Sequence, residues 1–171
     1  MWFSRAVAAV VLCAVLGACG FEPLYARRSD GSTTDDLAVT KIAVIEDRVG
    51  QQLRNALLEE LTPRGQPSQP LYVLEVKLTE GISNLAIQKD DTTSRASLEL
   101  RASYVLKRLS DGAALFDGVS RATTSYNMVT SNFATVSSEN DARRRNARVL
   151  GEEMKIRLAA YFNRMRQTPQ Q

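Results

Sequence analysis

The chain predicts an α+β domain: a two-layer sandwich in which two helices pack on one face of a four-stranded, largely antiparallel (mixed) sheet, in the order βαβββα. Three observations lead there. Residues 72–79 and 95–107 alternate apolar and polar side chains with a period of two, the mark of strands with one buried face. Two other segments carry apolar residues every three or four positions, the mark of amphipathic helices. Both helices need an apolar surface to cover, and the sheet offers one such face while the other stays polar.

The elements follow in order. Leu37 to Ile45, with Val39, Ile42, Val44 and Ile45, is β-rich and reads as the first strand; Glu46-Asp47 after it can cap and charge a helix start. Val49, Leu53, Ala56, Leu57 and Leu61 form a helical stripe that Pro63 and Gly65 end. Residues 66–70 form a proline-bounded loop. Tyr72, Leu74, Val76 and Leu78 then share one strand face, and Ala96, Leu98, Leu100, Ala102, Tyr104 and Leu106 share another. Between them, residues 81–91 read as a longer hairpin end whose Ile82, Leu85 and Ile87 form either a local cluster or a contact surface. Ser110-Asp111-Gly112 supplies turn chemistry, and 115–127 continues as a strand with Phe116, Ala122 and Tyr126 inward. Ser138 to Asp141 resembles a capping box, after which Ala147, Leu150, Met154, Leu158, Tyr161 and Met165 make the longest helical stripe, up to Pro169. The pattern leaves the strand order open; a right-handed crossover over the first helix would make the sheet mixed.

In front of this domain lies a different kind of segment. Arg5 precedes an apolar run of about 11 residues, Ala6 to Leu16, within the range of a signal-peptide core and well short of the roughly 20 a spanning helix needs. Leu16-Gly17-Ala18-Cys19 then resembles a lipobox, which implies cleavage before Cys19 and a diacylglyceryl thioether on it; the competing reading is an ordinary secretory signal cut near Ala18, with Cys19 left free. A single acyl chain binds a membrane marginally, whereas several anchor it firmly. Gly20, where an aspartate would favour inner-membrane retention, favours the outer membrane by resemblance to enterobacterial sorting. The expected division is a cleaved signal over 1–18, a lipidated tether over 19–36, one α+β domain over 37–166 and a disordered tail over 167–171.

Composition excludes several function classes. The 171 residues carry 22 basic and 19 acidic side chains, a net of +3 that loss of Arg5 lowers to +2, too balanced for a nucleic-acid binder driven by counterion release. There is no histidine, and the two cysteines are Cys13, lost with the signal, and Cys19. That removes disulfides, the usual zinc sites and histidine-dependent dyads and triads. No catalytic residue, metal or cofactor is expected beyond the covalent lipid. Glu59-Glu60 and Asp90-Asp91 are adjacent carboxylates, an arrangement that points apart on a helix or strand and is usually solvated surface.

The lipobox, the Cys19-Gly20-Phe21-x-Pro23-Leu24-Tyr25 start, the first strand and helix, the Ser94-Arg95-Ala96 opening of a strand ending Tyr104-x-Leu106, and the long closing helix together resemble the LPS-assembly lipoprotein family (LptE), in an alphaproteobacterial form. The resemblance implies a non-catalytic protein anchored at the periplasmic face of the outer membrane through N-palmitoyl and S-diacylglycerol groups on Cys19. It implies insertion into the lumen of the large β-barrel LptD, help in assembling that barrel, and delivery of lipopolysaccharide to the cell surface. A compact domain with one polar sheet face suits the polar interior of a barrel.

Direct contact with lipid A phosphates would call for exposed Arg or Lys. Lys77, Arg95 and Arg101 fall on the predicted polar face, Arg121 joins them, and Lys89 sits in the adjacent hairpin. The competing arrangement pairs these cations with Glu75 and Glu99 across strands, each pair contributing some tenths of a kcal/mol. The Arg143-Arg144-Arg145 run with Arg148 is either an anionic-lipid or phosphate patch or, more often for such runs, the solvated side of a helix. Two other function classes stay open: an auxiliary lipoprotein of a phospholipid (ABC-type) transport complex, and a carboxylate-only periplasmic hydrolase. The hydrolase would need Glu75 and Glu99 about 5 to 9 Å apart in one cleft.

Overall fold

A computed structural model describes residues 33–87 and 93–167. The signal, Cys19, most of the expected tether, Lys89 and the last four residues lie outside the described residues. The elements are α1 (Thr33–Ala38), β1 (Thr40–Ile42), α2 (Asp47–Leu61), β2 (Tyr72–Ile87), β3 (Thr93–Arg108), β4 (Ala114–Val129) and α3 (Asn132–Gln167). The sheet runs β1-β2-β3-β4, with β1 parallel to β2 and the other pairs antiparallel, so the mixed two-layer α+β sandwich is the one the alternation predicts.

One face of the sheet carries the core. Leu74 on β2, Ala96, Leu98, Leu100, Ala102, Tyr104 and Leu106 on β3, and Ala122 and Tyr126 on β4 are buried. Against them lie Leu53, Leu57 and Leu61 of α2 and Ala147, Leu150, Met154, Leu158 and Phe162 of α3. Each such leucine contributes about 1.5 to 3 kcal/mol through removal from water. At one end the rings interlock: Tyr72 meets Phe162 at 5.1 Å and Phe116 stacks on Tyr161 at 5.2 Å. The stripe thins there, since Met165 is 39% exposed, its sulfur accepting from the Tyr161 hydroxyl at 3.7 Å.

Four local expectations are corrected. The stretch read as the end of a tether and the start of a strand is α1, in which Asp35 and Asp36 sit in the first turn and Leu37 reaches the core; β1 is therefore only three residues long. The Thr40 hydroxyl donates to the Asp36 carbonyl at 2.9 Å, closing the helix onto the strand. Glu46 makes no side-chain cap for α2, and Asp47 has a left-handed φ of 67°. The hairpin end expected from Gly81 is strand as far as Ile87, with a register shift between Asn84 and Ala86. Finally, α3 begins at Asn132, so the Ser138 to Asp141 pattern lies inside it. Ser131 does the capping, its hydroxyl accepting from the Ala134 N–H at 3.5 Å, while Asp141 bonds to Arg144 and Arg145.

Candidate functional site

The helices leave the second sheet face open. Its side chains follow from the register, which sets Glu75, Val105 and Asp117 in one cross-strand row and Lys77, Ser103 and Val119 in the next. Thr79, Arg101 and Arg121 follow, then Gly81, Glu99 and Thr123. Every third-row and fourth-row residue is exposed.

This arrangement brings three of the candidate cations together. Arg101 and Arg121 are direct cross-strand partners, and Lys77 sits on the diagonal to Arg101, about 7–8 Å away between Cα atoms. Arg95 shares the face but stands six residues further along β3, about 20 Å from Arg101. Lys89 lies outside the described residues.

The alternative pairing with Glu75 and Glu99 does not form. Glu75 accepts from Lys107 at 2.7 Å, and among the described residues Lys77, Arg95, Arg101 and Arg121 make no ion pair. Two guanidinium groups held opposite one another without an acid between them leave a concentrated positive field, which a ligand bearing closely spaced negative oxygens would relieve. Beside them a groove of about 450 Å³ runs past Glu75, Lys77, Ser103, Val105, Asp117 and Val119. Its walls are of mixed charge.

The arginine run on α3 behaves differently. Arg143 grips both oxygens of Glu80 at 2.9 and 2.7 Å and also bonds Glu139, and the Glu80 bonds hold its pKa above the usual arginine value. Arg144 and Arg145 pair with Asp141. Most of the run's charge is thus matched within the fold: the exposed Arg144 and Arg145 fit the solvated-helix reading, whereas Arg143 is turned inward onto Glu80 of β2 and fits neither reading. Likewise Glu60 pairs with Lys155 at 2.8 Å.

Glu75 and Glu99 do not converge. Glu99 faces Gly81, six residues along β2 from Glu75, so the two lie about 20 Å apart and outside the 5 to 9.5 Å range of a glycosidase-like pair. Among the described residues no group of three or more acidic, histidine or cysteine side chains could hold a metal, and no helix is long and apolar enough to cross a membrane.

One surface escaped sequence reasoning. Phe133 is 85% exposed and Val136 54%, at the first turns of α3 beside Val129. Their signal was a phenylalanine and a valine three apart shortly after a strand, in a stretch to which the sequence reading assigns no element.

No protein-family model matches the sequence, and no curated protein matches it. Solved structures do match its fold. A candidate lipoprotein from Caulobacter crescentus aligns with a TM-score of 0.63 at 18% identity, over 75% of this chain and 94% of that one. A minor lipoprotein from Acinetobacter baumannii aligns with a TM-score of 0.54 at 18% identity, over 72% and 94%. An uncharacterized lipoprotein B from Nitrosomonas europaea aligns with a TM-score of 0.55 at 12% identity, over 72% and 83%. The chain has the fold that these three bacterial proteins share.

Proposed function

We propose that this chain is an outer-membrane lipoprotein of the LPS-assembly (LptE) type, lipid-anchored through Cys19 on the periplasmic face. In this reading it inserts into and helps assemble the lipopolysaccharide-transport β-barrel LptD. The observation that carries the reading is a conjunction: a Leu16 to Tyr25 segment with lipobox character stands in front of a domain with the fold of three bacterial lipoproteins. The role in this reading is non-catalytic, and the separation of Glu75 from Glu99 along the open face supports it. A polar, helix-free sheet face is the kind of surface that a barrel's polar lumen accepts.

Lipopolysaccharide contact belongs on the same face. Arg101 and Arg121, with Lys77 beside them, offer two forked donors and a point charge to the phosphates of lipid A. Replacing Arg101 and Arg121 by Glu in the full chain is expected to weaken lipopolysaccharide binding by roughly tenfold with unchanged melting temperature. Unchanged binding would remove these residues from the ligand site. Depleting the protein from cells tests the assembly role: the barrel is expected to disappear from the outer membrane, and a normal barrel level without the protein would overturn it.

A further inference from the structure

The end of the sheet remote from Phe133 carries a groove of about 410 Å³, lined by Pro70, Leu71, Tyr72, Arg108, Leu109 and Ser110. The ladder of β2 and β3 builds it. Beyond their last rung, Tyr72 with Arg108, the Leu109 N–H donates to the Leu71 carbonyl at 2.9 Å and sets two leucines opposite one another. Each stands three residues from a buried leucine, Leu74 or Leu106, so alternation turns both toward the helix-free face. Leu71 is 58% exposed and Leu109 48%, an apolar pair left in water beside Pro70. Arg108 lies at the rim, with Asp111 at 2.8 Å.

The chain enters the fold beside this groove. The Leu71 N–H donates to the Val39 carbonyl at 3.0 Å, and Val39 directly follows α1. The six steps from Thr33 to Val39 rise about 9 Å, and one strand spacing more puts Thr33 about 15 Å from the leucines.

What precedes Thr33 has the chemistry to fill the groove. Residues 27–32 are Arg-Arg-Ser-Asp-Gly-Ser, and before them stand Phe21, Pro23, Leu24 and Tyr25. Eight residues separate Tyr25 from Thr33, and a linker of that length has a root-mean-square span of about 15 Å, the separation required. A segment tethered over its own matched span is presented at about millimolar effective concentration. A second copy or a soluble partner at about micromolar concentration competes at a disadvantage of roughly a thousandfold. Glu22, inside the segment, is complementary in charge to Arg108 at the rim.

We propose that the Leu71–Leu109 groove is the docking site of this chain's own Phe21 to Tyr25 segment, with Phe21, Leu24 and Tyr25 covering the two leucines. The docking requires neither the barrel nor the lipid. Where Cys19 is acylated, as in the reading above, it has a consequence for orientation. Six residues separate Cys19 from Tyr25, at most about 22 Å, so the anchor holds this end of the sandwich at the membrane with the Phe133 end turned away.

The test reads the reactivity of a thiol at the groove wall, in the full chain purified in detergent. Ser110→Cys lines the groove; Ser125→Cys, on the helix-free face of β4, is the distant control, and both serines are exposed. Maleimide alkylation is followed by mass spectrometry, which separates these positions from the native cysteines. With the segment intact, S110C is expected to react about tenfold more slowly than in an F21S/L24S/Y25S background, the shift that a docked fraction of about 90% gives, while S125C reacts alike in both. L71S/L109S is expected to release S110C to the same extent, and the two sets combined to release it no further, because each removes the same contact. Equal rates for S110C in the two segment backgrounds would overturn the proposal. So would protection that grows with protein concentration, which would give the groove to a second copy, or an equal acceleration of S125C, which would mean general loosening of the fold.

Discussion

Tyr104 and Gly118 oppose each other across β3 and β4, and a methyl group at Gly118 would stand 2.7 Å from the tyrosine Cζ and Oη. The tyrosine is 2% exposed and packed under α3, so it has nowhere to retreat. Gly118→Ala is expected to cost about 1–3 kcal/mol in urea unfolding, and the cost should largely vanish in a Tyr104→Leu background, where the ring is gone. Arg101 is the opposite case. Because it faces Arg121 with no acid between them, Arg101→Gln should leave stability unchanged or raise it by up to ~1 kcal/mol, measured as the urea midpoint. A loss of more than that would mean Arg101 has a partner that its neighbours do not reveal. Neither effect is legible in the sequence, where Gly118 is one glycine of nine and the two arginines stand 20 positions apart. Asn146 was hidden for a related reason. Periodicity assigns a polar residue outward, yet Asn146 is 1% exposed, donating to the Leu98 carbonyl at 2.9 Å and accepting from the Thr124 hydroxyl at 2.6 Å.

At the scale of elements, long amphipathic segments were readable and boundaries were not. β3, β4 and the apolar stripes of α2 and α3 stand where alternation and three-four spacing put them, because a two-layer sandwich imposes those periods on its inner faces. The edges of elements depend on tertiary partners instead. Leu37 to Ile45 has strand composition throughout, but the start of β2 offers pairing only to Thr40 through Ile42, and the Thr33 hydroxyl, bonded to Asn163, draws the preceding residues into a helix on α3. The start of α3 makes a direct test of capping. Ser131→Ala removes an N-terminal cap and should cost about 0.5–1 kcal/mol, whereas Ser138→Ala lies within the helix and should be neutral or slightly stabilising. Thermal unfolding of the two variants distinguishes them. The reverse order would restore the capping box to the helix start.

For the whole molecule, the described chain begins and ends at one end of the sandwich. Thr33 bonds Asn163, Asp36 pairs with Arg166, and β1 adjoins the first residues of β2. The exposed Phe133 and Val136 mark the other end, about 50 Å away along 16-residue strands. Between them lies the open face, whose candidate cations were legible as types and as a face, since alternation alone separates Lys77, Arg95 and Arg101 from the core. Which of them meet was not, because register is fixed by strand pairing and not by spacing along the chain. The proposed role is that of a lipid-anchored partner of an outer-membrane barrel; the likeness to known structures itself extends to the fold that three bacterial lipoproteins share. The most direct measurement is to solubilise membranes from cells expressing the tagged full chain, isolate it, and identify what stays bound through a high-salt wash. The account predicts a stoichiometric β-barrel of the lipopolysaccharide-transport type; a transporter subunit in its place, or no bound protein, would contradict it.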